Sequence, residues 1–153
     1  MEHEETIKTF AARTLWEIHG QMLSHEAGAR AGEVEGVHDM RVSIRRLRVA
    51  LSNFAACLTR EDRRRVKLRL EHLATALGGV RDLDVMIEAM SDRLAARPEA
   101  ERPAIESFLK RLRTRRHGRL RTLARYLQSE EYAALKLEFP APKEKPVPHG
   151  KAA

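Results

Sequence analysis

His38, Arg41, Arg45 and Arg48 recur at i, i+3, i+7 and i+10 within VHDMRVSIRRLRVALSNF, residues 37–54. On an α-helix, which turns about 100° per residue, these four side chains fall within about 80° of one another. Val37, Met40, Ile44, Leu47, Leu51 and Phe54 occupy an adjoining arc of about 100°. Arg46 points elsewhere, to solvent. No acidic residue is interleaved in the row, and like charges one turn apart destabilise a helix by about 0.3 kcal/mol per pair. A surface selected for stability would alternate signs. The row suits charge-assisted hydrogen bonds to phosphate or carboxylate oxygens, which the planar guanidinium makes in pairs. Its bland alternative is an ordinary solvated face.

Two later segments repeat the device. Lys67, Ala74 and Arg81 share a heptad position, with Gly78 on the same side. Small residues there leave room for a ligand beside the cations, or serve close helix packing. Asp82 and Asp84 orient neighbouring arginines or simply neutralise them. Further on come Lys110, Arg111, Arg113, Arg115, Arg116, Arg119, Arg121 and Arg125, most of which must face solvent. Arg116 falls inside the apolar arc between Leu112 and Leu120, flanked by Arg115 and Arg119. A buried unpaired guanidinium costs several kcal/mol. Either a carboxylate meets Arg116, or that face opens onto a wet cationic cavity.

The elements that must carry these residues are set off by glycine and proline. Ile7, Phe10, Leu15, Ile18 and Met22 predict a first helix from about residue 5 to 27. AGARAGEVEG, with three glycines, predicts a loop. The opening segment then runs as a helix to about Leu58. Thr59 with Asp62 resembles a capping box, so a third helix should start near Arg60 and run to about Leu94 through Leu70, Leu73, Leu77, Val80 and Ile87. ARPEAERP breaks it. A fourth helix is expected from about Ala104 to Gln128, with Ile105, Leu109, Leu112, Leu120, Leu123 and Leu127 on one face. Ser129 can cap a short last helix, EEYAALKLEF. The expected fold is all-α: a four-helix bundle of long antiparallel helices plus a short C-terminal helix. Residues 1–138 are expected to form the bundle, and the Pro/Lys-rich residues 139–153 read as a flexible tail.

The chain has 153 residues, enough for one domain with a real core. It carries 29 Lys and Arg against 22 Asp and Glu, a net charge of +7. The excess is mostly arginine, so a polyanionic partner leads: nucleic acid, a phosphate polymer or an anionic membrane. Cys57 is the only cysteine, which leaves no disulfide framework and no cysteine zinc site. The charged start, MEHEETIKTF, lacks the apolar region of a signal peptide, and no apolar run approaches a membrane span. The expected location is cytoplasmic.

EAGARAG (26–32), VHDMRVSIRRLRVAL (37–51), LGGVRDLDV (77–85) and, more loosely, RRHGRLRTLARYLQSEEYAAL (115–135) together resemble one half of a CHAD domain, the conserved-histidine α-helical domain. The resemblance implies a helical bundle whose inward histidine and basic residues bind inorganic polyphosphate, as a binding or targeting module rather than an enzyme. It places the family histidine on His38, the basic residues that follow on Arg41, Arg45 and Arg48, and the arginine of the RD.D motif on Arg81. Arg115, Arg116 and Arg119 match the later basic positions more loosely, and Lys67 joins the set through its heptad row. It also implies a triphosphate tunnel enzyme domain as partner, or association with polyphosphate granules. A typical member holds two such bundles facing a central channel, whereas HDMR and RDLD occur once here. The chain thus supplies half a groove alone, rebuilds the channel as a homodimer, or is one part of a longer parent.

Polyphosphate has no bases to read, so rows of arginine on rigid helices suffice to hold it. No glycine-rich phosphate loop and no strand-borne carboxylate cluster is visible, so no phosphoryl chemistry, cofactor or metal is expected. His72 and His117 do not stand at metal-binding spacing with His38; His72 reads as a surface or boundary histidine. Nucleic acid is the alternative partner. It accounts for the charge but calls for stacking aromatics or a recognition helix, which are not seen. A membrane role would rest on the fourth helix and fails if its leucine face is packed inside.

Overall fold

The cap signals at Thr59 and Ser129 are used as written. In the computed structural model, which describes residues 6–140, Thr59 accepts from the Asp62 amide at 3.0 Å and Ser129 from the Tyr132 amide at 3.2 Å. Each satisfies one of the amides a helix start leaves unpaired. The helices are α1 (Ile7–Ser24), α2 (Glu26–Ala31), α3 (Val34–Asn53), α4 (Arg60–Leu94), α5 (Arg102–Leu127) and α6 (Glu130–Leu137). Single 3₁₀ turns at Ala55–Cys57 and Glu99–Glu101 join α3 to α4 and α4 to α5. No strand occurs among the described residues, and the fold is all-α. None of these helices is long and apolar enough to cross a membrane.

Helix α4 sits between α3 and α5, and α1 packs on α3. Arg41 of α3 reaches Asp82 whereas Arg48 approaches Glu71, so α3 and α4 run in opposite directions over this stretch. Arg116 of α5 meets Asp84 while Tyr126 donates to the Arg69 carbonyl, which gives α4 and α5 the same opposed relation. The apolar rows fill the space between them. Val37, Met40, Ile44, Leu47 and Leu51 of α3, Leu70, Leu73, Leu77 and Val80 of α4, and Leu109, Leu112, Leu123 and Leu127 of α5 are buried. Fully burying such side chains stabilises by about 2 kcal/mol each. The leucine face of α5 is therefore taken up by the core and is not free to enter a bilayer.

The structure departs from the sequence reading at two places. The stretch expected as a loop, residues 27–36, is almost wholly helical: α2 occupies its first part and α3 starts at Val34. Its glycines serve contact and turning. A methyl group on Gly36 would stand 2.5 Å from the Gly28 carbonyl carbon, so α2 and α3 touch backbone to backbone. Gly32 takes the left-handed conformation, φ +77°, that ends α2. In α1, Ile7 and Phe10 are exposed, and the buried stripe is Ala11, Leu15, His19 and Met22. Of the expected tail only Phe139 and Pro140 are described, and Phe139 packs against His19 with ring centroids 4.9 Å apart. Residues 141–153 lie outside the described residues.

The last helix is fastened by polar ties. Glu26 of α2 accepts from Arg30 at 2.7 Å, from the Tyr132 hydroxyl at 2.8 Å and from Lys136 at 3.0 Å. On the opposite flank Arg65 and Arg69 of α4 both hold Glu138, and His72 Nδ1 lies 2.6 Å from Glu131. His19, buried in α1, donates from Nε2 to the Leu135 carbonyl at 3.2 Å. Burial pushes the His19 imidazolium down from histidine's ordinary 6.5, against the opposing pull of that carbonyl. The unfolded chain therefore takes up a proton there before the folded one does, and stability falls as pH drops through the ordinary histidine range. Urea titrations from about pH 7.5 to about pH 5 should show this loss in the wild type and a shallower one in His19→Gln. Equal slopes in the two proteins would mean that His19 burial is not linked to folding.

Candidate polyanion-binding groove

The cations of α3 and α4 meet along the seam between the two helices. His38, Arg41, Arg45 and Arg48 line one wall of a cavity of about 500 Å³, and Ala74, Arg81, Asp82 and Val85 line the other. Arg45 and Arg48 also border a second cavity with Arg63 and Lys67, and Arg63 and Lys67 border a third with Arg60 and Arg64. His38 and Arg81 continue the line the other way, into a cavity of about 620 Å³ shared with Arg113 and Arg116 of α5. Shared lining residues join the first three spaces into one groove, and the fourth, which Glu35, Asp84 and Glu88 also border, closes its end. Between Arg60 and Arg81 it follows α4 for about 32 Å, at 1.5 Å per residue.

Why the helices present these side chains follows from their buried rows. Burying Val37, Met40, Ile44, Leu47 and Leu51 fixes the rotation of α3, and the His38 row then stands at the edge of the seam. Leu70, Leu77 and Val80 do the same for α4 and bring the Lys67, Ala74 and Arg81 row alongside. Gly78 keeps that flank low. A methyl group there would meet only Arg41 Nη1, at 3.9 Å.

The internal counter-charge is sparse. Arg41 lies 3.5 Å from Asp82, Arg48 lies 3.8 Å from Glu71, and Lys67 shares Glu71 at 3.9 Å. These are long, solvent-exposed pairs of the kind that contribute about 0–1 kcal/mol. Arg45 and Arg81 have no ion-pair or hydrogen-bond partner among the described residues. Contrast the outer side of α4, where Arg65 and Arg69 are gathered onto Glu138 and Arg65 also takes Asp62 at 2.7 Å.

The later basic residues separate. Arg116 is mostly buried and committed: it holds Asp84 and donates to the Gly32 carbonyl at 2.7 Å, while still bordering the terminal cavity. Of the two outcomes open at Arg116, the carboxylate partner is the one observed, and the cavity beside it is of mixed charge rather than cationic. Arg119 lies on another side of α4, its Cδ 3.2 Å from where a Gly79 methyl would stand. Neither Arg115 nor Arg119 lines any of the four cavities. Arg60, Arg63 and Arg64 border the groove and Arg113 its end cavity, none of them chosen as a site residue from the sequence. Arg63 could have been found one turn before Lys67, and Arg60 one heptad before it.

A family model described as CHAD domain matches residues 13–153. The chain belongs to the CHAD domain family. Comparison with curated proteins and with solved structures gives no match. In this CHAD domain the signature stretches VHDMRV and RDLD contribute His38 and Arg41 from α3 and Arg81 and Asp84 from α4. They meet at one end of the groove.

Asp84 and Arg116 together tie α4, α5 and the Gly32 turn, and so set where α3 begins. Asp84 Oδ2 is buried with no hydrogen-bond partner. Removing one member of such a pair leaves the other charge uncompensated, so Arg116→Leu should lower stability by about 3 kcal/mol in urea denaturation. The double variant Asp84→Leu, Arg116→Leu should lose less than the single one. A double variant worse than the sum of the two single ones would contradict this account of the pair.

Proposed function

We propose that this CHAD domain binds inorganic polyphosphate in the groove between α3 and α4, with α1, α3, α4 and α5 as the long members of an antiparallel four-helix bundle. The observation that carries the reading is that Arg45 and Arg81, on facing helices, border the same cavity with no internal partner. His38, Arg41, Arg48 and Lys67 extend the contact on either side. The helix backbones that carry these guanidinium groups are already ordered, so only side-chain rotamers remain to be fixed on binding. Each phosphate that docks releases counterions, and affinity falls as salt rises. Arg116 is assigned to holding the site together, while Arg115 and Arg119 are left out of the contact set.

The role is binding rather than catalysis. It fits a scaffold or targeting module at polyphosphate granules in the cytoplasm, acting alone, as a homodimer that completes a channel, or beside a triphosphate tunnel enzyme. Nucleic acid is disfavoured because the groove walls present mainly basic and aliphatic side chains, with no Phe, Tyr or Trp among them and the His38 imidazole as their one ring, too little for a run of stacked bases.

Arg45→Glu and Arg81→Glu should each weaken polyphosphate binding by about tenfold or more at fixed salt, the value of a charge-assisted hydrogen bond. Helicity and melting should stay close to the wild type. Loss of folding instead would make those residues structural, and preferential retention of duplex or single-stranded nucleic acid in competition would favour the other partner. His38→Ala should weaken binding at fixed pH and salt; unchanged affinity would remove His38 from the site.

A further inference from the structure

A second unneutralised surface lies on α5. From Ser107 to Gln128 the sequence contains no Asp or Glu. With the buried leucines turned inward, Arg111, Arg115, Arg121 and Arg125 fall on the outward side of the helix, within an arc of about 120°. All four are exposed, and none has an ion-pair or hydrogen-bond partner among the described residues. Arg111 with Arg115, and Arg121 with Arg125, stand one turn apart and repel. Gly118, in the middle of this face, has open space where a side chain would stand. Glycine there lowers helix stability relative to alanine without serving any contact inside the protein.

This face is separate from the groove. The cavity where α5 comes nearest to α3 and α4 is bordered by Glu35, Asp84 and Glu88 as well as by Arg81 and Arg113. Carboxylates at that junction break the run of positive charge, so a polyanion following one track is not led onto the other. The chemistry of the outer face fits a polymer of phosphates. Its leucines are buried, which removes the means to enter a bilayer. Tyr126 is half-buried and donates to the Arg69 carbonyl, and Phe108, exposed at the edge of this face, is a single ring rather than a row on which successive bases could stack.

We propose that the domain is bivalent for polyphosphate: the groove holds one strand, the outer face of α5 holds another, and the protein cross-links the polymer. The proposal rests on the reading of the groove as a polyphosphate site. Two tracks on one rigid body convert weak second contacts into strong net association with a long chain, and leave short chains bound once.

Light scattering with long-chain polyphosphate, beside calorimetry with a short oligophosphate, tests it on the full chain. Wild-type protein should bind the oligomer without scattering and scatter with the long polymer. Arg111→Gln, Arg121→Gln, Arg125→Gln should keep oligomer affinity within about threefold and lower scattering by about tenfold or more, with circular dichroism and melting unchanged. Arg45→Glu should weaken oligomer binding itself. If Arg45→Glu binds the oligomer as the wild type does, the groove reading fails. If Arg45→Glu weakens oligomer binding but the triple variant still scatters like the wild type, the bivalent proposal is overturned. It is overturned equally if the triple variant loses oligomer binding in step with Arg45→Glu, or if the wild type binds the long polymer without scattering. Loss of binding to duplex DNA or to anionic vesicles, with scattering retained, would also overturn it and assign the face to that partner.

Discussion

Guanidinium groups held beside a hydrophobic seam without matching carboxylates are the constraint on which this structure turns. Packing of Val37, Met40, Ile44, Leu47 and Leu51 fixes the rotation of α3, and the same packing leaves Arg45 no means of swinging away to the far side. Arg81 approaches from α4 under the same rule. Mutual repulsion across the groove is a destabilising term that the core must offset, and an external polyanion converts it into attraction. Stability and binding therefore draw on one arrangement of charge.

The acids of the chain are engaged elsewhere. Glu26 gathers Arg30, Tyr132 and Lys136, and Glu138 gathers Arg65 and Arg69, so α6 is clamped from both flanks. Asp62 serves the α4 cap and Asp84 the Arg116 tie. Along the middle of the groove only Asp82 and Glu71 remain, at long range and in solvent, while Glu61 borders one end and Glu35 and Glu88 the other. This partition separates cations that hold the fold from cations that face outward. Net charge alone would not distinguish them.

Much of the fold is legible in the sequence because its signals are local. The capping residues Thr59 and Ser129, the proline break before α5 and the 3.6-residue leucine rows all act within a turn or two of where they are written. Local reading fails where tertiary contact decides. Gly28 and Gly36 read as loop residues, yet they are small because two helix backbones meet there. Ile7 and Phe10 carry helical spacing but lie exposed at the start of α1, where Phe10 meets the edge of Phe54 at 5.9 Å and the Arg13 guanidinium at 5.8 Å. For the site, periodicity shows that His38, Arg41, Arg45 and Arg48 share a face and that Arg81 shares one with Lys67. It does not say which neighbour each face meets. That is why it groups Arg119 with residues that Arg119 does not join, and why it passes over Arg113, which α5 places against the far end of the groove.

Arginine side-chain NMR would address the central claim most directly. During titration with a short polyphosphate, the Nε–Hε resonances of Arg45 and Arg81 should shift first and saturate together, while those of Arg65 and Arg69, already held by Glu138, stay in place. Equal movement of all four, or none at Arg45 and Arg81, would contradict a groove whose open cations await an outside anion.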